Sequence, residues 1–269
     1  MAAKSSRRNK VSSKKQHPGL PGPKTLDLVD LFLFLLDSRI PQTSLRISEP
    51  YLLKKRRVYV MTKPDLADPS TTQEWVDWFK AGGVPCFAVE SSTGRGMSDL
   101  VNFLDGKQAD VARKAHSMIL IRPLRIMLFG LPNVGKSSLA NRLLGTSKAP
   151  FGAKPGLTRG SHWLRGRGPL EILDTPGVID TSKVKGEVLH KLAATWAVRE
   201  NQYDEGEVAI WLAREVFDKQ DPLSHITEFG RSKGLIGPGG NVDFSRACKS
   251  FIQAFRYGNL GRVSIETPG

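Results

Sequence analysis

The chain contains few cysteines and no long apolar segment. Its 269 residues include only Cys86 and Cys248, which lie far apart and outside any CxxC or Cys/His pattern. This spacing argues against a structural zinc site and against a disulfide framework, and it favours a reducing compartment. The longest strongly apolar run, residues 31–36, is far shorter than the roughly 20 residues that cross a bilayer. We therefore expect no transmembrane helix.

Acidic residues are scarce relative to basic ones. The sequence has 40 lysines and arginines against 26 aspartates and glutamates, which gives a formal charge of +14. The hydrophobic content of 39% and charged content of 25% are typical of a globular chain. An excess of positive charge favours polyanionic partners, and nucleic acid is the first of these.

The first 24 residues contain seven basic residues and no acidic one, and they include a Pro- and Gly-rich stretch at 17–23. This composition predicts a disordered tail and linker. Three functions stay open for the segment: an arm on RNA phosphates, a solubilising terminus, or a transit peptide. We expect a cytoplasmic bacterial protein, or one of the mitochondrial or plastid matrix if the segment is a transit peptide.

From residue 25 to about 190, short apolar runs alternate with helical stretches. One helix is predicted after a cap signal at 71–72, and another after the glycine-rich turn that follows residue 129. The runs are continuously apolar, as in strands buried on both faces of a parallel sheet. The pattern predicts an α/β domain with a doubly wound, mainly parallel sheet. The four runs are 31–36, 58–61, 86–89 and 126–129.

The strongest motif is GLPNVGKS at 130–137, which satisfies GxxxxGK[ST] directly after a predicted strand and directly before a helical run. In such a loop, backbone N–H groups and the helix N-terminus surround the phosphates. Lys136 would reach the β- and γ-phosphates, which makes it a candidate catalytic residue, and Ser137 would bind Mg²⁺. The predicted nucleotide contacts of this loop are Asn133, Val134, Gly135, Lys136, Ser137 and Ser138.

Two downstream elements complete the predicted phosphate site. Residues 170–177 read as a strand that ends in DxxG, where Asp174 would hold Mg²⁺ and the N–H of Gly177 would sense the γ-phosphate. Thr158, in the segment PGLT at 155–158, is the candidate switch threonine that completes the magnesium shell. We treat Thr158 and Gly177 as candidate catalytic residues; the alternative for Thr158 is an ordinary surface-loop threonine.

The evidence for guanine lies upstream of the phosphate loop. The strand at 58–61 is followed by TKPD at 62–65, which resembles NKxD with Thr62 in the asparagine position. Asp65 would accept hydrogen bonds from guanine N1 and N2, which adenine cannot match, and the stem of Lys63 would cover the base. Ser91 and Ser92 follow the next strand and resemble the SAK-type loop that donates to guanine O6.

Along the chain these elements come in the order guanine loop, SAK-like loop, phosphate loop, switch threonine and DxxG. This is the order of a GTPase that has been cut and rejoined, and all five loops would still lie at carboxyl ends of strands in one sheet. The sequence resembles the circularly permuted GTPases, and among them the RbgA/YlqF family. The segments that carry the resemblance are LDSRIP at 36–41, residues 132–138, PGLT at 155–158, DTPG at 174–177 and the tail at 234–268.

The resemblance implies an enzyme that hydrolyses GTP with Mg²⁺, matures the large ribosomal subunit, binds its rRNA and is stimulated by the ribosome. We expect a monomer without a membrane partner.

Val178 and Ile179 follow the DxxG segment where related GTPases carry a water-orienting glutamine, so intrinsic turnover should be slow. The resemblance also implies a potassium ion held partly by Asn133. The family's P-G-H histidine is replaced by Leu20, and we assign His17 at most a minor role.

After residue 186 the pattern changes to helices, and the resemblance implies an RNA-binding helical domain. Helical spacing places Arg246, Lys249 and Arg256 on one face and apolar residues on the opposite face. The basic face is either an RNA-binding surface or an ordinary solvated one. The expected division of the chain is a tail at 1–24, a circularly permuted GTPase domain at 25–190 and a helical domain at 191–269.

Two hypotheses from different classes remain. In the first, the protein is a GTPase whose hydrolysis times its release from a maturing large subunit. In the second, it is an rRNA-binding scaffold that keeps GTP as a structural ligand with negligible hydrolysis. Lys136, Ser137, Thr158 and Asp174 favour the first hypothesis, since a scaffold need not retain the magnesium shell. An ATPase is a third hypothesis.

Overall fold

The computed structural model describes seven segments of the chain: 23–48, 56–114, 122–145, 162–165, 168–174, 184–217 and 221–269. Several residues singled out in the sequence lie outside these segments. They are His17, Leu20, Thr158, Gly177, Val178 and Ile179.

A mainly parallel sheet forms the centre of the molecule. Its strands are β1 (Leu31–Asp37), β2 (Arg57–Thr62), β3 (Cys86–Val89), β4 (Leu124–Gly130), β5 (His162–Arg165) and β6 (Leu170–Asp174). They lie in the order β3-β2-β1-β4-β6-β5, and all neighbours are parallel except β5, which pairs antiparallel with β6. The predicted α/β fold with a mainly parallel sheet is confirmed, and each of the four apolar runs forms a strand.

Helices cover the sheet and continue beyond it. They are α1 (Pro23–Asp27), α2 (Pro41–Ser48), α3 (Pro69–Ala81), α4 (Met97–Lys114), α5 (Lys136–Leu144), α6 (Gly186–Ala194), α7 (Glu205–Val216), α8 (Pro222–Ser232) and α9 (Phe244–Arg256). In the described part of the chain, no helix is long and apolar enough to cross a bilayer.

Helix α3 begins earlier than the sequence pattern predicted. Its N-cap is Asp68, whose carboxylate accepts a hydrogen bond from the backbone N–H of Thr71 at 2.8 Å, and Pro69 occupies the first helical turn. The predicted start at 71–72 is therefore wrong. An aspartate followed by proline is the stronger start signal, because the carboxylate satisfies an unpaired N–H and proline has the helical φ already fixed.

The order of the strands determines where a ligand can bind. From β1 the chain adds β2 and β3 on one side, and from β4 it adds β6 and β5 on the other side. The direction of winding therefore changes between β1 and β4, which are neighbours. In an open parallel sheet the crevice for a ligand lies at the carboxyl ends of the strands at this switch point.

The two faces of the sheet pack against different clusters of buried side chains. Leu33 and Leu35 of β1 belong to one cluster, and Phe32 and Phe34 belong to the other. The first cluster continues without interruption into helices α6, α7 and α9, so the sheet and the C-terminal helices share one core. The expected domain boundary at 190/191 falls inside α6. The members from these helices include Leu192, Ala193, Val208, Leu212, Ala247 and Phe251.

The last residues of the chain return to the sheet domain. The N–H of Val263 donates to the carbonyl of Leu66 at 3.1 Å, and the N–H of Ile265 donates to the carbonyl of Arg39 at 2.9 Å. The buried Glu266 carboxylate accepts hydrogen bonds from the N–H and hydroxyl of Thr43, near the start of α2. It also pairs with the Lys191 ammonium of α6 at 3.2 Å. One carboxylate thus connects three distant parts of the chain.

We predict that Glu266→Gln lowers the free energy of unfolding by about 2 kcal/mol, since it leaves a largely buried ammonium without its buried partner. Urea unfolding measures the change. The matched control is Glu187→Gln, because Glu187 pairs with the same ammonium but is mostly exposed; its effect should be near zero. Equal stability of the Glu266→Gln variant and the unmodified protein would show that this carboxylate does not hold the C-terminal segment in place.

Candidate functional site

The phosphate loop lies between β4 and α5, at the switch point. Gly130 has φ +152°, and a Cβ there would lie 2.6 Å from the carbonyl oxygen of Leu35 on the neighbouring strand. Gly135 has φ +105° and directly precedes α5. Both positions require glycine because a side chain would be strained or would collide with the backbone. The loop therefore approaches its neighbours as closely as a phosphate-binding turn must.

Lys136 lies buried within this loop. Its ammonium donates to the carbonyls of Gly130 at 3.1 Å and Leu131 at 2.8 Å. Ser137 and Ser138 follow it in the first turn of α5, where N–H groups and the helix dipole favour an anion. The predicted phosphate-binding residues thus lie together at one helix N-terminus.

The guanine-type loop after β2 contacts the phosphate loop directly. The hydroxyl of Thr62 is 2.7 Å from the carbonyl oxygen of Val134, to which it donates, and the side chain is buried. These two residues are 72 positions apart in the sequence. Thr62, in the asparagine position of the motif, therefore connects the guanine-type loop to the phosphate loop.

Lys63 and Asp65 lie on the same side of the sheet as the phosphate loop. Lys63 has φ +54°, and its ammonium lies 3.0 Å from the carboxylate of Asp37 at the end of β1. Arg39 makes two hydrogen bonds of 2.9 Å to the same carboxylate. Burial raises the pKa of Asp37, but the charges of Arg39 and Lys63 more than offset this, so the pKa lies well below its ordinary value. Asp37 stays ionised and fixes the stem of Lys63.

The SAK-like loop after β3 is a compact turn. The N–H of Gly94 donates to the carbonyl of Glu90 at 2.8 Å, and the hydroxyl of Ser92 donates to the carboxylate of Glu90 at 3.1 Å. Glu90 is buried. Glu90 stabilises the conformation of this loop through these two hydrogen bonds. The sequence pattern did not predict this role for Glu90.

A cavity of about 720 Å³ joins the three loops. This volume lies within the usual range of about 300–1,000 Å³ for small-molecule sites. Asn141, Arg142 and Gly145 also line it, and they follow Ser138 at the helical spacing of three, four and seven residues, a signal that could have predicted them. The predicted residues that line the cavity are Thr62, Lys63, Asp65, Ser91, Ser92, Asn133, Val134, Gly135 and Ser138.

The predicted magnesium ligands are only partly within the described segments. Strand β6 runs parallel to β4 and ends at Asp174, so the backbone of Asp174 reaches the same edge of the sheet as the phosphate loop. Ser137 lies at the start of α5, which follows β4, the strand next to β6 in the sheet. Thr158 and Gly177 lie outside the described residues. Hydroxyl and carboxylate oxygens are the ligand types that Mg²⁺ prefers.

Asn133 contacts the C-terminal helical region. Its side-chain nitrogen donates to the backbone carbonyl of Trp196 at 2.8 Å. Trp196 follows α6 and has φ +65°, and Asn133 has φ +56°. The phosphate loop is therefore attached to the helical region through a polar contact as well as through the shared core.

The predicted basic face of α9 is only partly exposed. Arg246 and Lys249 are exposed, and Lys249 lies 3.7 Å from the carboxylate of Glu205. The placement of Arg256 on this face is wrong, since Arg256 is only 4% exposed. Its guanidinium donates to the carbonyl of Ala193 at 2.6 Å. Because α9 packs against α6 and α7, its last turn lies under a neighbour that the helical spacing could not reveal.

Strand order, phosphate loop and guanine-type loops together define a P-loop GTPase whose motifs occur in circularly permuted order. A family model described as a 50S ribosome-binding GTPase matches residues 125–229. Ribosome biogenesis GTPase A of Priestia megaterium is 31% identical over 262 residues, which span 90% of this chain and 91% of that protein. The protein of the same name from Bacillus licheniformis is also 31% identical, over 90% of this chain and 92% of its own length.

The chain belongs to the ribosome biogenesis GTPase A family, and it is a GTPase with GTP as its substrate. The fold agrees with this assignment. The GDP-bound structure of TM YlqF matches with a TM-score of 0.69 at 25% identity, over 91% of this chain and 97% of that one. The predicted resemblance to the RbgA/YlqF family is confirmed.

We predict that Thr62→Val lowers the affinity for GTP and GDP about fivefold, since a lost buried hydrogen bond is worth about 1 kcal/mol. The valine keeps the side-chain shape but leaves the Val134 carbonyl without the hydroxyl. Fluorescence titration with labelled nucleotide measures the affinity. Thr62→Ser is the matched control, because it retains the hydroxyl; if both variants bind equally well, the contact between the two loops does not support nucleotide binding.

Proposed function

We propose that this GTPase is an assembly factor for the large ribosomal subunit, which binds rRNA and hydrolyses GTP faster on the ribosome than in solution. The observation that carries the proposal is the single cavity that joins guanine-type loop, SAK-like loop and phosphate loop. The names of its relatives supply the link to ribosome assembly. The exposed basic residues of α9 supply a surface for rRNA.

Each loop of the cavity has a distinct role in the proposed reaction. Asp65 accepts from guanine, while Lys63, fixed by Asp37, covers the base. Lys136 moves from the loop carbonyls to the β- and γ-phosphates when nucleotide binds. Ser137, Thr158 and Asp174 would hold Mg²⁺, which would supply positive charge to offset that of the phosphates. The N–H of Gly177 contacts the γ-phosphate.

Potassium is the proposed substitute for the missing water-orienting glutamine. The nitrogen of the Asn133 amide is engaged by the Trp196 carbonyl, so the amide oxygen is directed elsewhere, and oxygen is the atom that a hard cation takes. When bound there, potassium adds positive charge beside the phosphates. Val178 and Ile179 have no side-chain donor or acceptor for the water, which agrees with slow turnover away from the ribosome.

We predict that large ribosomal subunits raise GTP turnover by at least about tenfold, by analogy with partner-stimulated GTPases. The measurement is phosphate release in potassium and in sodium buffers, with and without subunits. Lys136→Ala is the control that should abolish turnover under all four conditions. Turnover indistinguishable from Lys136→Ala, even with subunits present, would favour the scaffold hypothesis, and equal turnover in potassium and sodium would contradict the potassium site.

Arg246 and Lys249 are the residues that we assign to rRNA. Both side chains are exposed near the N-terminal half of α9, and the Lys249 contact to Glu205 at 3.7 Å is long and open to solvent. An exposed pair of this kind is worth little, so a phosphate can replace the carboxylate. Arg256 is excluded from this surface because it is buried.

We predict that the double variant Arg246→Gln/Lys249→Gln weakens rRNA binding and reduces the slope of log affinity against log salt by about 1.5, since each lost phosphate contact removes about 0.7–0.9. Filter binding at several salt concentrations measures the slope. Arg214→Gln, which removes an exposed arginine of α7, is the matched control and should leave the slope unchanged. An unchanged slope in the double variant would place the RNA contact elsewhere.

We further propose that the protein works as a monomer in the bacterial cytoplasm, since the relatives with the highest coverage come from bacteria. A relative from Arabidopsis thaliana, 32% identical over 68% of this chain, is named DAR GTPase 2, mitochondrial. An organellar location is the alternative.

A further inference from the structure

The amide of Asn133 has a defined orientation that is set from outside the phosphate loop. Its nitrogen donates to the Trp196 carbonyl at 2.8 Å. Because a carbonyl can only accept, the amide oxygen must face away from Trp196. A movement of the Trp196 carbonyl would therefore remove this restraint on the Asn133 side chain.

The backbone turn at Trp196 is strained and needs support. Its φ of +65° is unfavourable for a bulky residue, and such conformations persist only where the surroundings hold them. The N–H of Trp196 donates to the carbonyl of Ala193 at 3.2 Å, and the N–H of Ala197 donates to that of Leu192 at 2.8 Å. These bonds close the end of α6 but leave the indole ring to be held by other contacts.

Arg256, in the last turn of α9, supplies one of those contacts, and the ring of Tyr257 supplies another, with its centre 5.2 Å from that of the indole. The guanidinium carbon of Arg256 lies 5.0 Å from the centre of the Trp196 ring, and the same group donates to the Ala193 carbonyl at 2.6 Å. It also donates to the hydroxyl of Tyr203 at 2.9 Å. One buried cation thus stacks on the ring of the strained residue and binds the carbonyl that accepts from its N–H. Stacking of this kind is worth about 2 kcal/mol when desolvated.

Phe255, which precedes Arg256 in the last turn of α9, is also held in place. Arg39 donates to the carbonyl of Phe255 at 3.4 Å and lies 5.0 Å from the centre of its ring. Arg39 is also held by Asp37, which binds Lys63 of the guanine-type loop. Two consecutive residues of α9 are therefore linked to the nucleotide loops through intermediate residues, Phe255 through Arg39 and Asp37 and Arg256 through Trp196.

We propose that Arg256 is a positioning residue for Asn133 and acts through the Trp196 turn. The proposal rests on the proposed function in one respect, since Asn133 matters for hydrolysis only if it binds potassium. Arg256 itself touches neither nucleotide loop. It binds the Ala193 carbonyl and the Trp196 ring and so holds the turn whose Trp196 carbonyl orients the asparagine. The C-terminal helical region thereby determines the orientation of this one side chain of the phosphate loop.

The direct test is the side-chain amide signal of Asn133 in ¹⁵N NMR, assigned by its loss in Asn133→Ser. In Arg256→Met the signal should shift, and the exchange of the amide protons should become about tenfold faster, because the donor loses a fixed acceptor. Arg214→Met, which removes an exposed arginine from α7, is the matched control and should change neither. An unchanged Asn133 signal in folded Arg256→Met would overturn the proposal.

A second variant keeps the test decisive if Arg256→Met does not fold. Trp196→Leu removes the ring on which Arg256 stacks but keeps a side chain for which the positive φ is unfavourable. The Asn133 signal should shift and exchange faster in this variant also. A folded Trp196→Leu protein with an unchanged signal would contradict the proposal as firmly as the first variant.

A second measurement, the potassium dependence of GTP turnover, tests the positioning role of Arg256 separately from the existence of the potassium site. In a potassium titration of GTP turnover, Arg256→Met should raise the half-saturating concentration about tenfold, while the affinity for GDP stays the same. An unshifted titration in a folded variant would count against the proposal. If the unmodified protein turns over equally in sodium and potassium, the potassium site is wrong, and the Asn133 amide signal alone decides the positioning role.

Discussion

The carboxyl ends of five parallel strands meet at one edge of the sheet, and the nucleotide site depends on this constraint. It places the loops after β2, β3 and β4 around one cavity. The hydrogen bond from Thr62 to Val134 then connects two loops that are 72 residues apart. Because the sheet supplies the geometry of the site, the chain can begin at any of its strands. A circularly permuted order therefore preserves the arrangement of these loops.

The permutation does change where the C-terminal region is attached. Here the chain leaves the sheet after β6 and builds α6 to α9 beside the phosphate loop, in the same core as β1 and β4. The segment after α9 then returns to the sheet domain through Glu266. Polar contacts from Arg39 to Phe255 and from Asn133 to Trp196 also cross this boundary. The helical region and the nucleotide loops therefore form one packed unit.

Local sequence signals were sufficient where the structure depends on local chemistry. Buried strands are continuously apolar, and the phosphate loop needs glycines at fixed positions, so both could be predicted before the fold was known. Apart from the start of α3, where the Asp-Pro cap at 68–69 is the stronger local signal, the predictions failed where tertiary contacts decide. The spacing of α9 placed Arg256 beside Lys249, but the same spacing cannot show that α6 covers the last turn. The Glu266 contacts also span 223 residues to Thr43, and no local pattern indicates such a partner.

The charge distribution also depends on tertiary contacts, which decide how much of the basic excess is exposed. Residues 192–230 contain three basic and eight acidic residues, whereas residues 231–262 contain six basic residues and only Asp243 as an acid. The region as a whole is close to neutral, yet it can attract a polyanion because the two signs are separated along the chain and across its surface. The pair of Lys249 with Glu205 joins a basic residue of the second segment to an acidic residue of the first. Since Arg256 is buried and Arg262 donates to the carbonyls of Ala67 and Pro64, part of the basic excess is structural. The surface left for a polyanion is therefore smaller, and more local, than the formal charge of the chain suggests.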